Sequence, residues 1–150
     1  MAIKAIFHVN VNCSDFERSK SFYEQLGFES VLDLPTGGDA QLAAGLGMEE
    51  CEGRASIMML DPTQPRQARL DLIEWSNPRD LSPPYEHLGR LGINRIALWT
   101  IDLEAEYERL LAAGVEFLSS PQTMGAHTRF VCLKDPDGTV IELIEFLDSP

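Results

Sequence analysis

Four ionisable side chains in this sequence are set so that each could do chemistry. Glu142 lies between Ile141 and Leu143, and Asp71 between Leu70 and Leu72. An unpaired carboxylate on a buried strand is costly, so each needs a partner or a task. One such task is to move a proton next to a carbonyl as general base. His8 shares the polar side of an alternating stretch with Asn10 and Asn12. There it is either a satisfied packing residue or an acid facing a cavity. Arg95 is either a structural partner of Glu142 or a clamp on an anionic ligand group such as a carboxylate or enolate.

Other candidates carry two readings each. Trp99 and Phe130 are cavity walls or plain core. His127 precedes a strand and is a proton carrier or an ordinary loop histidine, and His87 falls in a solvent-facing connector. Glu49, Glu50 and Glu52 form a charge run of the kind usual on a solvated surface. Cys13, Cys51 and Cys132 are odd in number and lack C-x-x-C spacing, so they read as packed thiols rather than disulfides or a zinc knuckle.

The elements that must position these residues follow from periodicity. From Lys4 to Val11 apolar Phe7, Val9 and Val11 alternate with His8, Asn10 and Asn12, the pattern of a strand with unlike faces. Ser14 and Glu17 then fit an S-x-x-E capping box. Phe16, Ser19, Phe22, Tyr23 and Leu26 follow at helical spacing until Gly27. Strands are predicted over Phe28 to Leu34, Arg54 to Leu60 and Ala68 to Trp75, with a loop over Pro35 to Asp39 and a weak helical turn near Leu42 to Leu46. Ser76 to Gly92, interrupted by prolines and glycines, reads as a connector with at most a short helical piece around Tyr85 to Leu91. Beyond it come a strand over Ile93 to Thr100 and a helix capped by Asp102 and ended by Gly114. Strands over Val115 to Ser119, Thr128 to Lys134 and Thr139 to Phe146 complete the chain, the last two joined by an Asp-Pro-Asp-Gly turn.

The two halves repeat. His8 to Asp15 spans seven residues, as does Arg95 to Asp102; Asp15 to Gly27 spans twelve, as does Asp102 to Gly114. Leu70 to Trp75 matches Ile141 to Phe146, and each follows an Asp-Pro turn. The fold class this implies is α+β: two βαβββ modules forming a curled mixed sheet around a concave cavity, with helices outside. Alternation puts His8, Asn10, Asn12, Asp71, Arg95, Ala97, Trp99 and Glu142 on the concave side, and Glu74 and Glu145 on the other.

At 150 residues the chain suits one domain of ordinary size. A net charge of −12 argues against a nucleic-acid partner, because phosphate binding needs a concentrated positive field. With no apolar leader pattern and no run long enough for a membrane span, a cytoplasmic protein without a membrane partner is expected.

The arrangement resembles the vicinal oxygen chelate superfamily, which includes glyoxalase I, extradiol dioxygenases and the bleomycin-resistance proteins. The resemblance rests on FHVNVNCSDFERSKSFYEQLGF, GINRIALWTIDLEAEYERLLAAGVEF and DPDGTVIELIEF. It implies a single glyoxalase-like domain over 1–150, with module one at about 4–75, a connector at 76–92 and module two at about 93–146. It further implies a divalent metal on four ligands, from the first and last strand of each module. Those places fall on His8, Asp71, Arg95 and Glu142. His8, Asp71 and Glu142 could ligate; Arg95 cannot, because guanidinium has no lone pair to give. A unit positive charge about 5 Å from a divalent ion, at an effective dielectric of about 20, is repelled by about 7 kcal/mol. Either three ligands hold a metal, or Arg95 occupies its place as a salt-bridge centre with no cofactor.

The implied function is a small-molecule enzyme of lyase, isomerase or oxygenase type. Glu142 and His8 would be catalytic, and Arg95, Asn10, Asp71, Trp99 and His127 would bind substrate. The alternative is a protein that sequesters a compound without turning it over. A homodimer is expected by the same resemblance.

Overall fold

The computed structural model describes residues 2–147. The chain divides into two compact units between Ser82 and Pro83, within the predicted connector.

The first unit runs β1 (His8–Asn12), α1 (Phe16–Gln25), β2 (Glu29–Gly37), α2 (Ala40–Gly45), β3 (Glu52–Met59) and β4 (Arg69–Asn77). Its four-stranded sheet has the order β1-β4-β3-β2. The first and last strands pair in parallel, and the other pairs are antiparallel. Phe16, Ser19, Phe22 and Tyr23 form the buried stripe of α1, which packs on β3 and β4. Val11, Met58, Leu70 and Leu72 are buried on the sheet side of this core.

The second unit repeats the plan with β5 (Ile96–Trp99), α3 (Leu103–Ala112), β6 (Gln122–Met124), β7 (Thr128–Lys134) and β8 (Val140–Phe146). The sheet order is β5-β8-β7-β6, again with first and last strands parallel. Leu103 and Leu110 of α3 are fully buried, as are Val131 and Leu133 of β7.

Several boundaries differ from the sequence expectation. The N-cap of α1 is Asp15, whose side chain accepts from the Arg18 amide at 3.1 Å, and not Ser14. Ser14 Oγ instead accepts from the Arg18 guanidinium. Asp102 caps α3 in the same way, through the Ala105 amide at 3.0 Å, so the aspartates are the equivalent caps of the two units. The predicted loop at Pro35 to Asp39 is mostly strand, because β2 continues to Gly37. As β2 is an edge strand, Pro35 can lie in it without breaking an internal ladder. Gly37 has a φ of +105°, and a Cβ there would fall 2.0 Å from the Cys51 carbonyl oxygen, so no other residue fits. The predicted strand at Val115 to Ser119 shrinks to a single bridge between Phe117 and Leu133, and β6 forms after Pro121. No helix forms between 76 and 92 among the described residues, and none in the described chain is long and apolar enough to cross a membrane.

A charged clasp on the helix side of each sheet was not anticipated. Arg54 of β3 contacts Glu74 of β4 at 2.8 Å and Glu17 of α1 at 3.0 Å. Arg129 of β7 contacts Glu145 of β8 at 3.7 Å and Glu104 of α3 at 2.5 Å. Each clasp ties the first turn of the helix to the two inner strands. Its exposed arms are worth a fraction of a kcal/mol each, so it aligns the helix more than it stabilises it.

Packing carries the stability. Leu72→Ala, at a fully buried position on an inner strand, is expected to cost about 2–5 kcal/mol in urea unfolding. Asp102→Ala, which removes only a cap, is expected to cost about 1 kcal/mol.

Candidate functional site

Parallel pairing of first and last strands decides which side chains meet. In the first unit Asn10 sits in register with Asp71, and His8 with Arg69. His8 therefore lies one step along from Asp71 on the same face, and its Nδ1 is 3.3 Å from Asp71 Oδ2. The other carboxylate oxygen, Oδ1, is buried without a hydrogen-bond partner among the described residues. Asn12, on the same face, accepts from the indole N–H of Trp75 at 3.0 Å. The sequence reading left Trp75 out, although its i+4 spacing from Asp71 marks it as lying on that face.

In the second unit Ala97 is in register with Glu142, and Glu142 with Cys132. Arg95 lies two residues before Ala97, diagonal to Glu142 on the neighbouring strand, and its Nε donates to Glu142 Oε2. Its Nη1 donates to Asn94 Oδ1 at 3.2 Å. The pair is lopsided. The Glu142 side chain is 9% exposed and that of Arg95 43%. The hydrogen bond to Glu142 raises the Arg95 pKa above its ordinary value, so the group stays a cation at any working pH. Burial, and then the charge of Glu142, push the Cys132 thiol upward, which makes it a packed neighbour and not a nucleophile.

One step further along, Trp99 pairs with Ile144, and Ile144 with Phe130. Trp99 is 70% exposed and so is not core, while Ile144 and Phe130 are half-buried beside it. Ile144 and Cys132 were missed from sequence, although the alternation of β7 and β8 places both on this face. His127 stands apart in the turn between β6 and β7, exposed, with its carbonyl accepting from the Leu147 amide. His87 is exposed and accepts from the Gly89 amide.

The structure thus makes two pairs, His8 with Asp71 in one unit and Arg95 with Glu142 in the other. The chemistry of the Arg95–Glu142 pair does not suit a divalent ion. Among the described residues no group of three or more His, Cys, Asp or Glu side chains is placed to hold one. Glu142 already answers a permanent cation, and a metal at that oxygen would have to displace or oppose the guanidinium.

The family model for the glyoxalase/bleomycin resistance protein/dioxygenase superfamily matches residues 5–143. The chain belongs to that superfamily. Comparison with curated proteins gives no match. Among solved structures, a glyoxalase family protein from Bacillus cereus is 18% identical, with 99% of each chain covered and a TM-score of 0.84. TnmS3, an antibiotic binding protein from a Streptomyces species, is 28% identical over 97% of this chain and 98% of its own, with a TM-score of 0.68. The trypanothione-dependent glyoxalase I of Leishmania major is 18% identical, covering 95% of this chain and 87% of its own, with a TM-score of 0.67. Superfamily membership accounts for the paired βαβββ units. It spans enzymes and binding proteins, so the activity must be argued from the side chains.

If Arg95 disables a metal centre, Arg95→His should bind nickel, manganese or zinc at least tenfold more tightly than the parent in calorimetry. The parent should carry less than one equivalent by elemental analysis after growth and dialysis with the metal. A full equivalent in the parent would show that Arg95 does not stand in a metal's way.

Proposed function

We propose that this protein binds a small organic molecule and holds it without metal-dependent turnover. The observation that carries this reading is the Arg95–Glu142 pair: the position where the resemblance puts a metal ligand bears a fixed cation engaged with a buried carboxylate. Glu142 Oε2 already accepts from the Arg95 Nε–H, so that oxygen is engaged within the protein and not open to a substrate. Trp99, open on the same face, is suited to apolar contact with a ligand. The 28% identity to an antibiotic binding protein over nearly the whole of both chains supports the same direction. Sequestration of a compound by a cytoplasmic homodimer with one glyoxalase-like domain per chain is the physiological form we propose.

One observation favours a second reading, a metal-independent lyase or isomerase. With Asp71 at its Nδ1, His8 is oriented to keep a proton on that nitrogen, which leaves Nε2 as the accepting atom. Substrate would then lose a proton to His8 on the polar face of the first unit. Asn10, in register with Asp71, would add a polar contact to the bound molecule.

The two readings part in one experiment. A panel of antibiotics and aromatic metabolites is screened by thermal melt, and each stabilising compound is incubated with the protein and recovered for mass spectrometry. A ligand at one hundred times its Kd should add about 2.7 kcal/mol to stability and return unchanged. Conversion that His8→Asn abolishes would instead establish the enzyme.

A further inference from the structure

We propose that the face of the second unit bearing Arg95, Ala97 and Trp99 takes a neutral, planar aromatic ring system with a carbonyl acceptor. The ring stacks on the Trp99 indole, and the carbonyl oxygen accepts from the Arg95 guanidinium. This rests on the binding reading above and names the class of ligand.

The spacing is set by the strand. Arg95, Ala97 and Trp99 are alternate residues, and the guanidinium meets Glu142, the register partner of Ala97 on the neighbouring strand. Alanine adds almost no bulk, so the strand between Arg95 and Trp99 carries no large side chain on this face. From Ala97 to Trp99 two residues of strand span about 7 Å, close to the sum of about 4 Å from the centre of one fused ring to a carbonyl oxygen on the next and about 3 Å for the hydrogen bond. Trp99 is 70% exposed at one end of this gap, with half-buried Ile144 and Phe130 continuing the apolar row. An indole that open on a sheet face has unspent stacking area.

Hydrogen bonding gives the acceptor. The guanidinium has five N–H donors. Its bonds to Glu142 and Asn94 use Nε and Nη1, and among the described residues neither N–H of Nη2 has a partner. The side chain is 43% exposed, so a ligand can reach the guanidinium.

Charge gives the neutrality. Arg95 and Glu142 cancel, so the face offers directed donors without net charge. An anionic ligand would place a second negative charge beside buried Glu142 in a chain of net charge −12. A cationic ligand would lie against the guanidinium. A neutral carbonyl satisfies the donors with neither conflict.

The test uses the full chain with Trp75→Phe, which leaves Trp99 as the sole tryptophan of the two. Acridone (neutral, carbonyl-bearing), proflavine (cationic) and anthracene-9-carboxylate (anionic) are titrated by calorimetry and by Trp99 fluorescence quenching. Acridone should bind about tenfold more tightly than the other two. Trp99→Ala should weaken all three, and the double variant Arg95→Met/Glu142→Met, which leaves no buried charge unpaired, should weaken acridone alone by about tenfold. Tighter binding of either charged probe, or acridone binding indifferent to Trp99→Ala, overturns the assignment and leaves small-molecule binding standing. The same holds if the wider panel yields a ligand but none of these three binds. Trp99 emission that changes with protein concentration, with acridone competing against it, would show that a second copy covers the face, and would also overturn the assignment. A panel with no ligand at all overturns the binding reading itself.

Discussion

Parallel pairing of the first and last strands of each unit is the constraint on which the rest depends. Neighbouring parallel strands cannot be joined by a tight turn, so a helix and two further strands must be threaded between them. The helix then covers one sheet face, and the other face is left to whatever the strand residues present. Because side chains alternate, register fixes that face completely: Asn10 beside Asp71, Ala97 beside Glu142, Trp99 beside Ile144. A slip of one residue would send each of these into the helix side and bring Val11 and Leu98 out. The apolar helix-side rows, buried in both units, forbid the slip.

The same logic explains what could be read in advance. The period of two in Phe7 to Asn12, the repeat spacing and the glycine stops were enough to place α1, α3, the first and last strand of each unit and the alternation of their faces. Those signals are written in residue type at fixed intervals. Strand ends were less legible. Nothing local distinguishes Pro35-Thr36-Gly37 as strand from the same residues as loop; what decides is that β2 is an edge and that Gly37 can approach the Cys51 carbonyl. Likewise Phe117 has strand character, but Pro121 and two preceding serines postpone the edge strand. Ser14 and Asp15 are both good caps, and only the geometry of the entering chain selects the aspartate.

The site was legible as a set of positions and illegible as a set of bonds. Alternation placed His8, Asp71, Arg95 and Glu142 on polar faces, but could not choose between Glu142 as a free base and Glu142 as a partner. That choice turns on the diagonal reach of the Arg95 side chain to the neighbouring strand. The clasps of Arg54 and Arg129 were missed for a related reason. Each joins residues far apart in sequence, and Glu17 and Glu104 look like ordinary first-turn acids until the sheet brings an arginine to them.

The Arg95–Glu142 pair is poorly explained as a stabilising device. A buried ion pair seldom outperforms apolar residues of the same volume, since desolvating the charges cancels most of their attraction. A pair kept for stability would also be expected to shelter both members and saturate the guanidinium. Here the carboxylate is buried, while the arginine stays nearly half exposed and has no partner at Nη2 among the described residues. The buried acid fixes the direction of the base, and the base keeps donors to spare. By contrast, Arg54 and Arg129 each divide themselves between two glutamates, as a structural clasp should. Within one fold the helix-side arginines each join two elements of their unit. Arg95 is held by one buried carboxylate and by its own neighbour Asn94 on the face that the helix does not cover, and a side chain positioned in that way on an uncovered face is what a binding residue requires.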